Sequence, residues 1–151
     1  MRSCLKVFFL LSLAAPMCLG ADEAHGTPAF AVAAFHDALA SGDQDAVLGL
    51  LDPGVMIFES GGAELSRDEY ASHHLGADME FSSATNRKIV DQKKGEVGDA
   101  GWVLTRSETS GTFRDKDIDI LGTETVLLRR GEHGWRIVHI HWSSRSRSKA
   151  H

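Results

Sequence analysis

The chain has 151 residues, 42% of them hydrophobic and 25% charged, which fits one soluble globular domain and leaves no length for a second domain or a repeat array. With 16 Lys and Arg against 21 Asp and Glu the net charge is −5, so the domain has no electrostatic reason to seek nucleic acid or anionic lipid. Both cysteines, Cys4 and Cys18, lie near the N-terminus, so the body of the chain can hold neither a disulfide nor a catalytic thiol.

Arg2 and Lys6 lead into an apolar run from Val7 to Ala15, closed by Pro16, and Cys18-Leu19-Gly20 before Ala21 has the character of a cleavage site. This order predicts a secretory signal peptide over residues 1–20, too short to span a bilayer, and hence export to the periplasm or the medium. Pro16 and Met17 are not the small residues that lipidation of Cys18 would want. Residues 21–27 read as a flexible leader.

Thr27-Pro28 then opens a helix, with threonine as N-cap and proline in the first turn, and Ala31, Ala34, Phe35, Ala38 and Leu39 make its apolar stripe up to Gly42. Asp43 caps a second, short helix carrying Ala46, Val47, Leu50 and Leu51, stopped by Asp52-Pro53-Gly54. Val55 to Glu59 and Ala63 to Leu65 are strand-sized, joined by a Ser60-Gly61-Gly62 turn. Ser66 and Glu69 form a capping box for a helix running to about Glu80, with Tyr70, His74, Ala77, Asp78 and Phe81 on one face. Four long strands follow, over 85–92, 101–110, 118–130 and 135–144, with turns expected at Lys94-Gly95, Gly111-Thr112 and 131–134. In the last strand, strict alternation puts Trp135, Ile137, His139 and His141 on one face and Val138, Ile140 and Trp142 on the other. Arg145 to His151 is serine-interleaved and basic, and residues 146–151 read as a disordered tail.

Helices first and a meander last predict an α+β domain over 28–145, its helices packed on one face of a strongly curved antiparallel sheet that leaves a conical hollow. The closing segment Gly134-Trp135-Arg136-Ile137-Val138-His139-Ile140-His141-Trp142-Ser143-Ser144 resembles the last strand of SnoaL-like proteins of the nuclear transport factor 2-like superfamily and of the calmodulin-dependent kinase II association domain. Thr123 to Arg130, Trp102 to Arg106, and Phe35-His36-Asp37-Ala38-Leu39 with Gly42-Asp43 extend the likeness over nearly all of 28–145. The resemblance implies the cystatin-like cone, a homodimer joined through the outer face of the sheet, and either catalysis of isomerase, hydratase or cyclase type or plain ligand binding. It also implies an arginine-lined pocket, of which Arg106 matches one position while Thr125 stands where relatives carry a second arginine. The carboxylate pair of the steroid isomerases is not identifiable by motif.

His139 and His141, two apart on a strand, offer paired imidazoles either to the hollow or to bracing of the sheet. A mid-strand Arg106 calls for Glu108, Glu59 or Glu124, or for an anionic ligand. His74 and Asp78, one helical turn apart, read as an oriented base or as a polar pair at the core's rim. The candidate bases are thus His74, Asp78 and His139, and the candidate ligand contacts Arg106, His139, His141, Tyr70, His74, Thr125 and Glu59. No phosphate-binding glycine loop, serine elbow or metal-ligand spacing occurs, so no cofactor and no metal are expected. Three functions stay open: a binding domain for a small, partly apolar molecule, an acid–base enzyme, and a dimeric interaction module with a filled cone.

Overall fold

The computed structural model describes residues 26–147; the expected signal peptide and most of the leader lie outside the described residues, as does the tail beyond Arg147. Four helices precede most of the sheet among the described residues: α1 (Pro28–Ser41), α2 (Gln44–Leu50), α3 (Arg67–His73) and α4 (Leu75–Ala84). The strands are β1 (Leu51–Glu59), β2 (Gly62–Glu64), β3 (Thr85–Val97), β4 (Ala100–Phe113), β5 (Lys116–Gly131) and β6 (Gly134–Ser146). They form one open sheet in the order β2-β1-β6-β5-β4-β3, antiparallel except where β1 runs parallel to β6. No described helix is long and apolar enough to cross a membrane.

The helix starts follow their caps. Thr27 accepts from the Phe30 amide, Asp43 from that of Ala46 and Ser66 from that of Glu69, which satisfies first-turn donors that would otherwise be orphaned. Gly42, in the left-handed conformation at φ 73°, ends α1 by returning its N–H to Ala38 and Leu39. The third expected helix is two. The helix is interrupted at His74 (φ −118°), which closes α3 and precedes α4, and Tyr70 and Leu75 on either side of it are both buried.

Two expected turns are strand interior instead. At Gly95 an added Cβ would overlap the Trp102 indole, and at Gly111 it would stand 2.9 Å from the Ala84 carbonyl. These glycines permit close packing rather than reversal. The hairpin between β4 and β5 turns at Arg114-Asp115, both at positive φ, and β3 passes to β4 through Gly98-Asp99. β6 also outruns its expected end: it continues to Ser146, and Arg147 pairs with Glu108 and Asp119 at 3.0 Å each.

One irregularity decides the geometry of β6. Its register on β5 steps from Leu128↔Ile137 to Leu127↔His139, leaving Val138 as an extra residue. Before it, Trp135 and Ile137 face inward; after it, Ile140 and Trp142 do. The sequence alternation breaks at this point, because an inserted residue exchanges the two faces.

Phe35, Val32 and Leu39 of α1 close the sheet's concave side over Val47, Leu51, Val55, Ile57, Val103, Val126, Leu128, Ile137 and Ile140. The inward rows then change character at one level. β4 runs Val103, Thr105, Ser107, Thr109; β5 runs back Leu128, Val126, Glu124; and β1 runs Val55, Ile57, Glu59. One end of the cone is dry core, and the other is lined by hydroxyls and carboxylates.

Candidate functional site

The polar end of the cone encloses a cavity of about 390 Å3, within the range of small-molecule sites. Phe81, Phe113 and Ile120 give it apolar walls, and His36, Arg87, Glu124, Asp78, Ser107 and Thr109 give it polar ones. A side chamber of about 130 Å3 lies between β1, β2 and α3, lined by Tyr70, His74 and Glu64. Glu59, Asp78 and Trp142 line both spaces and form the seam between them.

Two groups of charge face this space. The first is a pinned carboxylate. Glu124, 5% exposed, is bound by His36 Nε2 at 2.7 Å, by the Trp142 indole N–H at 2.7 Å and by Arg87 at 3.2 Å. Burial alone would push its pKa up, but the imidazole, the guanidinium and the indole outweigh that and hold it below the ordinary carboxylate value. Phe35 fixes this knot from behind, stacking on Trp142 at 6.4 Å and meeting the His36 ring edge-on at 5.5 Å.

The second group has the opposite character. Asp78 accepts the Tyr70 hydroxyl at 2.8 Å, and among the described residues no cationic side chain is bonded to it. Burial raises its pKa; the Tyr70 bond and the positive field of His74 only partly offset this. Glu59 is raised too, by burial first and then by the charge of Asp78, although its position at the seam leaves it open to water, which softens the effect. Tyr70 is fully buried against this charge, and its phenol is held far above its ordinary range, so it remains a donor. The coupling runs one way: burial raises Asp78, and the charge of Asp78 adds to the rise at Glu59.

The expected site residues separate accordingly. Tyr70, His74, Asp78 and Glu59 come together at the seam and the side chamber. Arg106, Thr125, His139 and His141 stand on the other side of the sheet, because β4 and β5 keep strict alternation and the Val138 bulge turns both histidines outward. His139 donates from Nδ1 to the Met56 carbonyl at 2.9 Å and meets Phe58 edge-on, and Arg106 lines a shallow outer groove with Val90 and Arg145. Two of the three partners expected for Arg106 are engaged elsewhere: Glu108 pairs with Arg147 and Glu124 with Arg87. His36 and Arg87 were not anticipated. The available signal was Glu124 itself, a carboxylate on the β5 face that carries Val126 and Leu128, which demands buried donors from elsewhere in the chain.

Comparison with known proteins places this geometry. The model of the SnoaL-like domain matches residues 30–145. A Shewanella frigidimarina protein named as a candidate ketosteroid isomerase is 34% identical, with a TM-score of 0.74 over 82% of this chain and 98% of that one. A candidate dehydratase of the NTF2-like family from Streptomyces avermitilis is 18% identical, with a TM-score of 0.67 over 81% and 96%. The CaMKII hub of S. rosetta is 24% identical, with a TM-score of 0.62 over 78% and 97%. These last two likenesses show the fold alone. No curated protein sequence matches the chain.

Proposed function

This chain belongs to the SnoaL-like domain family, and from that premise we propose that its cone takes up a small, largely apolar carbonyl compound and that Asp78 and Glu59 move a proton on it. One observation carries the reading: Asp78 faces the cavity, half-buried, held by a neutral phenol and next to a second carboxylate, and so is poised to accept a proton from carbon and return it at a neighbouring atom. Arg87 and His36 supply the positive pole on the facing wall, where charge would build on a carbonyl oxygen. The Shewanella relative's name, an isomerase, is consistent with such a transfer.

The test is proton exchange. The protein is incubated in deuterated water with a panel of unsaturated ketones and hydroxy-carbonyl compounds, steroid enones included, and deuterium uptake beside the carbonyl is followed by NMR. Catalysed uptake with at least one compound is expected. If compounds raise the melting temperature yet none exchanges, proton transfer is wrong and the cone is a holding site only.

We further propose that the protein acts after export, on the strength of the N-terminal segment, and that two copies meet through the outer sheet face. Met56, Phe58, Leu104 and Leu127 are all exposed there, next to Trp102 and His139, a contiguous apolar patch of the kind that marks an interaction surface. Leu127→Glu is expected to shift the protein to monomer in sedimentation velocity without changing its circular dichroism; an unchanged dimer, or a monomeric parent, refutes the arrangement.

A further inference from the structure

Outside the cone, a second constellation gathers where β2 meets α3. Glu64 ends β2 with its carboxylate buried, 7% exposed. Glu69 and His73 project from α3 at i and i+4, hence from one face of the helix. One ligand atom from each of the three lies within 4.8 Å of the other two. The groups are already oriented. His74 Nδ1 bonds Glu64 Oε1, leaving Oε2 turned toward His73, and the Leu65 amide donates at 2.7 Å to Glu69 Oε2, leaving its other oxygen unused. His73 Nδ1 stands 3.4 Å from Glu64 Oε2. That is long for a charge-assisted hydrogen bond, but it is the separation of two ligands sharing one tetrahedral ion at roughly 2.0–2.1 Å from each.

We propose that Glu64, Glu69 and His73 bind one divalent transition-metal ion of the zinc class, with water in the remaining position. The donor set is mixed imidazole and carboxylate, which suits zinc, cobalt or nickel better than calcium or magnesium. His73 is 59% exposed on its side chain, so the ion has a route from solvent, while the buried Glu64 supplies the fixed anchor. His74, bonded to Glu64, acts as a positioning residue of the kind that orients a ligating carboxylate from outside the metal's contacts. The ion replaces the proton between His73 Nδ1 and Glu64 Oε2.

The experiment uses the full-length chain with Cys4→Ser and Cys18→Ser, so that thiols outside the described residues do not compete. Zinc is titrated against a chromophoric chelator, and melting temperature is recorded with and without zinc. One equivalent binding in the micromolar range is expected, with a higher melting temperature when zinc is present. His73→Gln and Glu69→Gln are each expected to weaken binding about tenfold or more and to abolish the thermal gain, with unchanged circular dichroism. His133→Gln, in the turn between β5 and β6, is expected to bind as the parent does. No binding tighter than about 1 mM overturns the proposal, and so does any smaller loss in either variant; the three side chains would then form only a surface ion-pair cluster. The outcome is independent of whether the cone catalyses exchange.

Discussion

Asp78→Asn is expected to lower catalysed deuterium exchange by about a hundredfold or more while leaving the fold intact and ligand-induced thermal shifts in place. The amide can still accept the Tyr70 hydroxyl at the 2.8 Å position, but it cannot take a proton from carbon. A second readout separates this role from a structural one. Because the folded-state pKa of Asp78 is raised, the native protein prefers it protonated, and that preference costs stability as pH rises from below 3.8 through the folded value. The asparagine variant escapes this cost. Relative to the parent it should therefore gain stability between acid and neutral pH, measured by urea unfolding at several pH values, as it loses activity. A variant that keeps its exchange rate, or that loses stability selectively at neutral pH, removes Asp78 from the proposed role. Glu59→Gln should show the same pattern more weakly, since water reaches that carboxylate.

Glu124→Ala is expected to cost about 3–5 kcal/mol of folding stability, the largest effect of any single change at the site. The substitution strands three donors at once: the His36 imidazole, the Arg87 guanidinium and the Trp142 indole N–H. The comparison variant is Glu124→Gln, which keeps an acceptor and the volume and should cost less. Its pH dependence has the opposite sign to that of Asp78. Glu124 is held below its ordinary value of 4.5, so its contribution is complete above that value and drains away as pH falls through the lower folded one. Glu124→Gln should accordingly flatten part of the acid limb of the stability profile. Equal stability of the alanine variant and the parent at neutral pH would mean that the triple contact does not anchor the cone.

Local signals in the sequence carried the scaffold. Thr27, Asp43 and Ser66 cap the helices they were expected to cap, and the four long strands occur within a few residues of their expected bounds, because capping and alternation are short-range effects. The α+β cone follows from element order, and the family likeness agrees with it. Gly95 and Gly111 misled for a physical reason. A glycine that admits an indole or a neighbouring carbonyl looks the same in sequence as one that turns the chain. The site was legible only where one segment supplied it. Tyr70, His74 and Asp78 share consecutive helices and were found together. His36, Arg87 and Glu124 come from α1, β3 and β5, and no local pattern announces that they meet. The sequence leaves the side of the strand histidines open, because the parity of β6 depends on one unpaired residue that composition does not mark.

That extra residue behaves like a frameshift in a message read two letters at a time. Everything downstream of Val138 is in the second phase: hydrophobic words point in, imidazoles point out. Were Val138 instead to take a paired place in the ladder, the first phase would run on to the strand's end, exporting Trp142 from the cone, depriving Glu124 of its indole and importing His139 and His141 in their place. Whether one residue is paired or looped out thus governs whether the last strand contributes a hydrogen-bonded tryptophan or a pair of imidazole rings to the interior.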